Sequence, residues 1–179
     1  MTWRAWFVPL ALTPLLLACR SDTEAPTAPV AEPPATTTSA DTEGDPLEGT
    51  WQTDVISQAE AEKTLKEHGL GQHIEDFSPL SPIQRDTVLI LHLHRGEWDL
   101  YGKAEGGARK EIDFDAAYTV LGDEVVVAHA DGATTFRWSV EGGTLTLTWL
   151  STSLPPYKGL PDEAFQRVLY MTRAFERVD

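Results

Sequence analysis

Two histidines and two carboxylates flank a tight-turn signal and are the residues of this chain best placed to bind a divalent metal. If Arg95-Gly96 forms a two-residue turn between antiparallel strands, His94 pairs with Glu97 and His92 pairs with Asp99. The four polar side chains then share the outer face, where imidazole and carboxylate could ligate zinc or a similar ion. Charge pairing between neighbouring strands in contact with solvent explains the same pattern. We favour this interpretation because nothing in the sequence marks the further residues that normally hydrogen-bond to metal-binding histidines. We predict no metal site.

A further histidine is predicted to lie inside the fold. The strand pairing described below places His129 on the apolar face, among Ala116 and Thr134, with Tyr118 on the same face. A polar group in an apolar interior either finds an internal partner or meets a ligand. Both interpretations stay open, and we favour a hydrogen-bonded core histidine.

The sequence carries none of the common catalytic motifs. It has no Gly-x-Ser-x-Gly elbow, no glycine-rich phosphate loop and no His-Glu-x-x-His zinc helix. We therefore predict a protein that is not an enzyme, with no catalytic residues and no cofactor. The formal net charge of −14 disfavours nucleic acid and anionic lipid surfaces as partners.

The elements that must position these residues are strands. After Asp86, apolar and polar residues alternate with a period of two between glycine-containing turns, which is typical of an antiparallel meander. An earlier strand around 49–55 and a last one around 172–178 bring the number to about eight, so we predict a mainly β fold closed into an antiparallel up-and-down barrel. The runs between them are 87–94, 97–103, 110–121, 124–130, 133–140 and 144–152.

Three of the turns predict how the strands pair, and they agree on one apolar face. The turn residues are Gly142-Gly143, Asp131-Gly132 and Gly122-Asp123. A slip of one residue would turn every apolar side chain outward, so the agreement supports the pairing. The predicted opposing pairs are Val140–Leu145, Trp138–Leu147 and Phe136–Trp149 across the first turn, Val127–Phe136, Val125–Trp138 and His129–Thr134 across the second, and Val120–Val125, Tyr118–Val127 and Ala116–His129 across the third.

Helical signals lie at two places outside the meander. The segment Ser57-Gln58-Ala59-Glu60 is a capping box that opens a helix, and Gly69 is placed to close it. A second short helical turn is predicted around 73–77, so the barrel carries a helical insertion after its first strand. Another short helix is predicted from Pro161 to about Leu169, before the last strand.

The N-terminal part of the chain predicts its location. Arg4 and the apolar residues 6–17 have the pattern of a secretory signal, and Cys19, the only cysteine, follows Leu16-Leu17-Ala18. This context resembles the lipobox of bacterial lipoproteins, in which the bond before the cysteine is cut and the cysteine is lipidated. The resemblance implies a signal peptide over 1–18 and a lipid on Cys19 that anchors the protein to the extracytoplasmic side of a bacterial membrane, in the cell envelope. The alternative is an ordinary signal peptide that is cut elsewhere.

The segment after Cys19 is predicted to be a spacer. Residues 20–46 contain no aromatic residue and are rich in proline, threonine and alanine. Such a segment cannot bury enough apolar area to offset the entropy of ordering it. We therefore predict a lipidated cysteine and a disordered spacer over 19–46, followed by a single folded domain over 47–179.

The start of this domain resembles a known superfamily. Gly49-Thr50-Trp51 is similar to the Gly-x-Trp signature of lipocalins and related calycins. In that superfamily a basic residue of the last strand packs across the tryptophan, a role for which Arg173 and Arg177 are candidates. The position of the helix before the last strand resembles that in lipocalins. The helical insertion after the first strand is more like that of fatty-acid-binding proteins, which carry two helices there. The resemblance implies a barrel that holds one small ligand or is packed shut, and it adds haem ligation to the alternatives for His129.

Two functions are compatible with these patterns. The first is a cell-envelope lipoprotein that binds a small apolar ligand in a lipocalin-like barrel. The second is a non-enzymatic structural or protein-interaction module of the envelope with a filled barrel, whose protein partner the sequence does not identify. Residues of the predicted inner face line the candidate ligand site. They are Trp98, Phe114, Tyr118, His129, Phe136, Trp138 and Trp149.

Overall fold

The computed structural model describes residues 45–178, apart from the side chain of Phe114. The predicted signal peptide, Cys19 and most of the predicted spacer lie outside the described residues. Over this range the fold is mainly β, as predicted, with eight antiparallel strands. The strands are β1 (Gly49–Thr53), β2 (Thr87–His94), β3 (Glu97–Ala104), β4 (Arg109–Leu121), β5 (Glu124–His129), β6 (Gly132–Glu141), β7 (Thr144–Thr152) and β8 (Phe175–Arg177).

The strands form a closed up-and-down barrel of the calycin type. Each strand pairs with its sequence neighbours, and β1 pairs with both β2 and β8, which closes the sheet. Short helices connect the strands on either side of this closure, as predicted. They are α1 (Gln58–Glu67), a 3₁₀ turn (Gly71–His73) and α2 (Ile74–Phe77) after β1, and α3 (Asp162–Met171) before β8.

The α1 helix begins and ends where its sequence signals predict. The Ser57 hydroxyl accepts a hydrogen bond from the Glu60 amide at 3.3 Å, and the Glu60 carboxylate accepts one from the Ser57 amide at 3.0 Å. At the other end Gly69 has a φ of +74°, which a glycine adopts without strain, and the Leu70 amide donates to the Leu65 carbonyl at 2.8 Å. This is the Schellman ending of a helix.

Most strand registers follow the prediction. Phe136 lies opposite Trp149 across the β6–β7 turn, and Tyr118 lies opposite Val127 across the β4–β5 turn. The β2–β3 hairpin also pairs as expected. These registers place one row of apolar side chains of each strand inside the barrel.

The register between β5 and β6 was predicted wrongly. Val127 lies opposite Thr134 rather than Phe136, because the turn is formed by Ala130-Asp131, one residue earlier than expected. Moving the turn by one residue shifts the pairing by two, and a shift of two keeps every side chain on its face. The inner face is therefore the predicted one. The observed pairs include Val125–Phe136, Val127–Thr134 and His129–Gly132.

Gly132 explains why this turn was misplaced. The glycine belongs to β6 rather than to the turn, and a Cβ atom there would lie 3.0 Å from the backbone carbonyl of Ser153. The Ser153 hydroxyl accepts a hydrogen bond from the Ala133 amide at 2.9 Å. A glycine inside a strand often marks such a close backbone approach, and here it imitates a turn signal.

An irregularity in β4 changes which side chains face inward. Between the Trp98–Ala116 pair and the Leu100–Asp113 pair, β4 has one residue more than β3, and Asp115 in this bulge has a φ of +59°. Leu100 is fully buried on the inner face, so its partner Asp113 shares that face. Simple alternation, from which the inner face was predicted, does not place Asp113 there.

Candidate functional site

Aromatic side chains fill the middle of the barrel. Trp98 is fully buried and stacks on Phe136 with ring centroids 6.1 Å apart. Tyr118 meets Trp98 edge-on at 6.0 Å, and Tyr170 of α3 reaches into the interior and contacts both Trp98 and Phe136. The structure thus brings three of the predicted ligand-binding residues together as part of a packed aromatic core.

The other predicted aromatic residues lie at the margins of this core. Trp138 and Trp149 are half-buried, and the Nε1 atom of each is buried without a hydrogen-bond partner among the described residues. The Arg167 guanidinium of α3 lies 4.4 Å from the Trp149 ring centre, a cation–π geometry. The side chain of Phe114, also a predicted ligand contact, lies outside the described part of the chain.

Tyr118 connects the barrel to the segment before β1. Its hydroxyl donates a hydrogen bond to the carboxylate of Asp45, which also accepts from the Leu47 amide at 2.9 Å. Burial, together with the neighbouring Asp45 charge, raises the pKa of Tyr118 above its usual range. Tyr118 is therefore already hydrogen-bonded within the protein, and its hydroxyl remains neutral.

A chain of polar groups runs from the aromatic core to the surface. The Trp98 indole donates to the Tyr170 hydroxyl at 2.9 Å, and that hydroxyl donates to Oδ2 of Asp113 at 3.0 Å. The other Asp113 oxygen lies 3.5 Å from Nδ1 of His129. Nε2 of His129 is buried and has no hydrogen-bond partner among residues 45–178. This nitrogen is one of three buried side-chain polar atoms of the predicted site that have no partner among the described residues, with Nε1 of Trp138 and Nε1 of Trp149, whereas buried polar groups are normally paired.

Burial dominates the electrostatics of this chain. Desolvation raises the pKa of the Asp113 carboxyl, and the nearby His129 and the Tyr170 hydrogen bond oppose this only in part. Burial and the Asp113 charge also raise the pKa of Tyr170 well above its usual range, so Tyr170 stays a hydroxyl donor. The Asp113 carboxyl, 3.5 Å from Nδ1 of His129, is placed to orient the imidazole.

Replacing Asp113 by asparagine is expected to change how stability depends on pH. Because the pKa of Asp113 is raised on folding, its ionisation favours the unfolded chain, so this group lowers stability as pH rises from its unfolded pKa through its folded pKa. Asparagine does not titrate. Urea unfolding at several values between about pH 3.5 and pH 7 should therefore show wild-type stability falling relative to Asp113→Asn as pH rises.

The control for this series is Asp115→Asn, which removes an exposed carboxylate of the same strand and keeps a residue type that tolerates positive φ. Its stability should follow the wild type at every pH. A constant difference between wild type and Asp113→Asn across the range would contradict a raised pKa at this position.

A cleft of about 510 Å³ opens beside the Asp113–His129 pair. This volume lies within the range of small-molecule sites, about 300–1,000 Å³. Asp113, His129, Asp162 and Gln166 contribute polar groups to it. Of the predicted ligand-binding residues whose side chains are described, His129 is the one that lines the cleft. Its main apolar walls are Leu80, Ile112, Leu154, Tyr157, Phe165 and Leu169.

The outer-face cluster of histidines and carboxylates has neighbours of its own. His92 lies opposite Asp99 and His94 lies opposite Glu97, as the turn predicted. Nδ1 of His94 lies 3.0 Å from a carboxylate oxygen of Glu48, so it is engaged in a surface ion pair when protonated. Within residues 45–178, no group of three or more His, Cys, Asp or Glu side chains is arranged to hold a metal ion.

The tryptophan of the Gly-x-Trp tripeptide is also built into a network. Trp51 is fully buried, and its indole nitrogen donates to the Leu47 carbonyl at 2.8 Å. Of the two candidate basic residues, Arg177 packs on the indole, with its guanidinium carbon 4.3 Å from the ring centre. Arg173 instead pairs with Glu60 at the start of α1.

Sequence reasoning missed Asp113, Tyr170 and Asp162 as residues of the cleft region. Asp113 was missed because it faces inward only through the bulge in β4, and no glycine marks that bulge. Tyr170 lies on the buried side of α3, which the helical period can indicate, but the period does not say which strand residues that side meets. Asp162 lies in the first turn of α3, where acidic residues are common, so its residue type did not mark it as part of a site.

Comparison with known proteins finds no matching family model, no similar curated protein and no similar solved structure. The candidate site therefore has to be interpreted from its own geometry. Among the described residues, no helix is long and apolar enough to cross a membrane.

Proposed function

We propose that this protein is a cell-envelope lipoprotein that binds a small, largely apolar ligand at its calycin-like barrel. The observation that carries the proposal is an open cleft of about 510 Å³ with apolar walls, lined by His129 of the predicted site. Its few polar groups would orient a small ligand whose apolar part contacts those walls. The location rests on the sequence context of Cys19, which implies a lipid anchor on the extracytoplasmic side.

The contacts favour the cleft over the middle of the barrel as the ligand site. Trp98 and Phe136 are at most 1% exposed and stack on each other, so a ligand there would have to displace a packed core. At the cleft, the apolar walls are already open to the surface, and His129 and Asp113 supply polar groups that can orient a ligand. The site that we propose is therefore centred on His129.

The direct test is to block the cleft and measure binding. Leu154 is a half-buried wall residue, so Leu154→Arg fills the cleft with a long charged side chain. Leu121→Arg makes the same change at a residue that is 59% exposed and lies outside the cleft lining, and is the matched control. Both are introduced into the full chain carrying Cys19→Ser, which removes the lipidation site and keeps detergent out of the titration.

Binding is measured with the neutral fluorescent probe N-phenyl-1-naphthylamine. We expect the Cys19→Ser chain and its Leu121→Arg variant to enhance the probe's fluorescence with equal affinity. Leu154→Arg should weaken the affinity by about tenfold or more, since the long side chain occupies the cleft and removes apolar contact area. Equal affinity in all three proteins would reject the cleft as the ligand site.

A second candidate function is a structural or protein-interaction module of the envelope. The packed aromatic core favours it, because a barrel filled by Trp98, Phe136 and Tyr170 needs no ligand for its stability. This function predicts a specific protein captured by crosslinking in whole cells, and no binding of the apolar probe. The two functions are thus separated by the same titration.

A further inference from the structure

We propose that the cleft selects an amphiphilic cation, that is, a molecule with an apolar, preferably aromatic body and a protonated amine. This inference rests on the proposed function and names the chemical class of its ligand. Three features of the cleft favour such a ligand. They are its negatively charged lining, its hydrogen-bond acceptors and its aromatic wall.

Negative charge dominates the lining of the cleft. Four carboxylates line it, and they are those of Glu111, Asp113, Asp131 and Asp162. His129 is the one lining residue that can carry a positive charge, since no lysine or arginine is among them. An anionic ligand would be repelled here, whereas a cation would be attracted by several carboxylates at once.

The hydrogen-bonding groups point to the same ligand class. Asp162 accepts from the Thr152 hydroxyl at 2.9 Å and from the Gln166 amide at 3.3 Å, which hold the carboxylate in place and leave it further acceptor capacity. The carboxylates of Glu111 and Asp131 add further acceptors to the lining. A cleft that offers acceptors is matched by a ligand that brings donors, and an ammonium group has three donors and no acceptor.

Two of the acidic residues that line the cleft, Asp113 and Asp162, also act on each other. The Asp162 charge contributes to the raised pKa of Asp113, after the larger effect of burial. A cation bound between them would replace this repulsion by attraction and hold both carboxylates ionised. The arrangement of carboxylates at the polar end of the cleft therefore favours a positive charge there.

The apolar part of the cleft suits an aromatic body. Phe165 and Tyr157 lie edge to face with ring centroids 5.9 Å apart, and both line the cleft beside Leu154 and Leu169. Aromatic rings prefer such offset contacts with a further ring, and their faces attract cations. An aralkyl amine would place its ring against these side chains and its ammonium towards Asp162 and His129.

Three probes of nearly equal shape separate charge from apolar contact. They are phenethylamine, 2-phenylethanol and 3-phenylpropionate, which carry a positive charge, no charge and a negative charge on the same aromatic body. Isothermal titration of each into the full Cys19→Ser chain should give the tightest binding for the amine, by about tenfold over the alcohol. The carboxylate should bind more weakly than the alcohol, and added salt should weaken the amine alone.

Variants of the carboxylates test the assignment further. Asp162→Asn and Asp113→Asn should each remove most of the amine's advantage in affinity over the alcohol. Asp115→Asn removes the same charge from an exposed position of β4 and should leave all three affinities as they are. Using two cleft variants guards against one of them disturbing the fold.

The outcomes separate this inference from the proposed function. If the alcohol or the carboxylate binds as tightly as the amine and Leu154→Arg still prevents binding, the cleft is a ligand site but the cation is the wrong class. If none of the three probes binds, the inference is overturned, and the neutral-probe titration decides the proposed function separately.

Discussion

Replacing Trp98 by alanine is expected to lower the free energy of unfolding by about 3–5 kcal/mol. Trp98 is fully buried and contacts the rings of Tyr118, Phe136 and Tyr170, so its removal leaves a cavity that these neighbours cannot fill. The substitution also leaves the Tyr170 hydroxyl without its indole donor. Urea unfolding, followed by circular dichroism, measures the loss.

The matched control for this prediction is Trp138→Ala. Trp138 is another inward tryptophan, but it is half-buried and its indole nitrogen has no partner among the described residues. We expect this variant to lose clearly less stability than Trp98→Ala. If Trp98→Ala instead lost less than about 1 kcal/mol, the interior would not be packed as described, and the ligand site would belong in the middle of the barrel.

Replacing Trp51, in the strand that closes the barrel, by alanine is expected to lower the free energy of unfolding by a similar amount, about 3–5 kcal/mol. Trp51 is fully buried, pairs with Arg177 of β8 across the closing strands and donates its indole proton to Leu47. Its removal therefore weakens the closure of the barrel as well as the core. The same urea unfolding experiment gives the magnitude.

Arg177→Ala separates the stacking of the guanidinium from the burial of the indole. The guanidinium lies over the Trp51 ring and also donates to the carbonyls of Glu48 and Pro46 at 3.1 and 3.2 Å. Because Arg177 is exposed, we expect its loss to cost only about 1 kcal/mol. A double-mutant cycle with Trp51→Ala should show a favourable coupling energy, and strictly additive losses would contradict the stacking contact.

Much of the fold could be predicted because its signals are local. The two-residue turn at Arg95-Gly96 sets the register of a whole hairpin, and the capping box at Ser57 sets the start of α1. Periodicity then assigns the inner face, and closure follows from the number of strands. Even the misplaced turn before Gly132 preserved the inner face, since the error was an even number of residues.

The candidate site was harder to predict because it depends on tertiary contacts. The sequence placed His129 inside, but its partner Asp113 faces inward only because of the bulge at Asp115. Tyr170 of α3 hydrogen-bonds to Asp113, although the two residues are 57 positions apart along the chain. A period of two residues within a strand carries no information about such contacts.

The predicted ligand-binding aromatics illustrate the same limit. Trp98, Tyr118 and Phe136 were chosen because they share the apolar face, and the sequence could not say whether they line a cavity or fill it. Their contacts with one another and with Tyr170 favour a filled centre. The candidate ligand site then moves to His129, which is the one member of the set with a described side chain that lines an open cleft.

The measurement that tests the central claim most directly is native mass spectrometry of the full-length protein, purified gently from a bacterial host, beside its Leu154→Arg variant. We predict that the wild-type protein carries a reproducible small-molecule mass that is released on denaturation, and that the variant with the blocked cleft lacks it. A bare wild-type mass that persists after incubation with envelope extracts, or an extra mass retained equally by Leu154→Arg, would contradict a ligand bound beside His129.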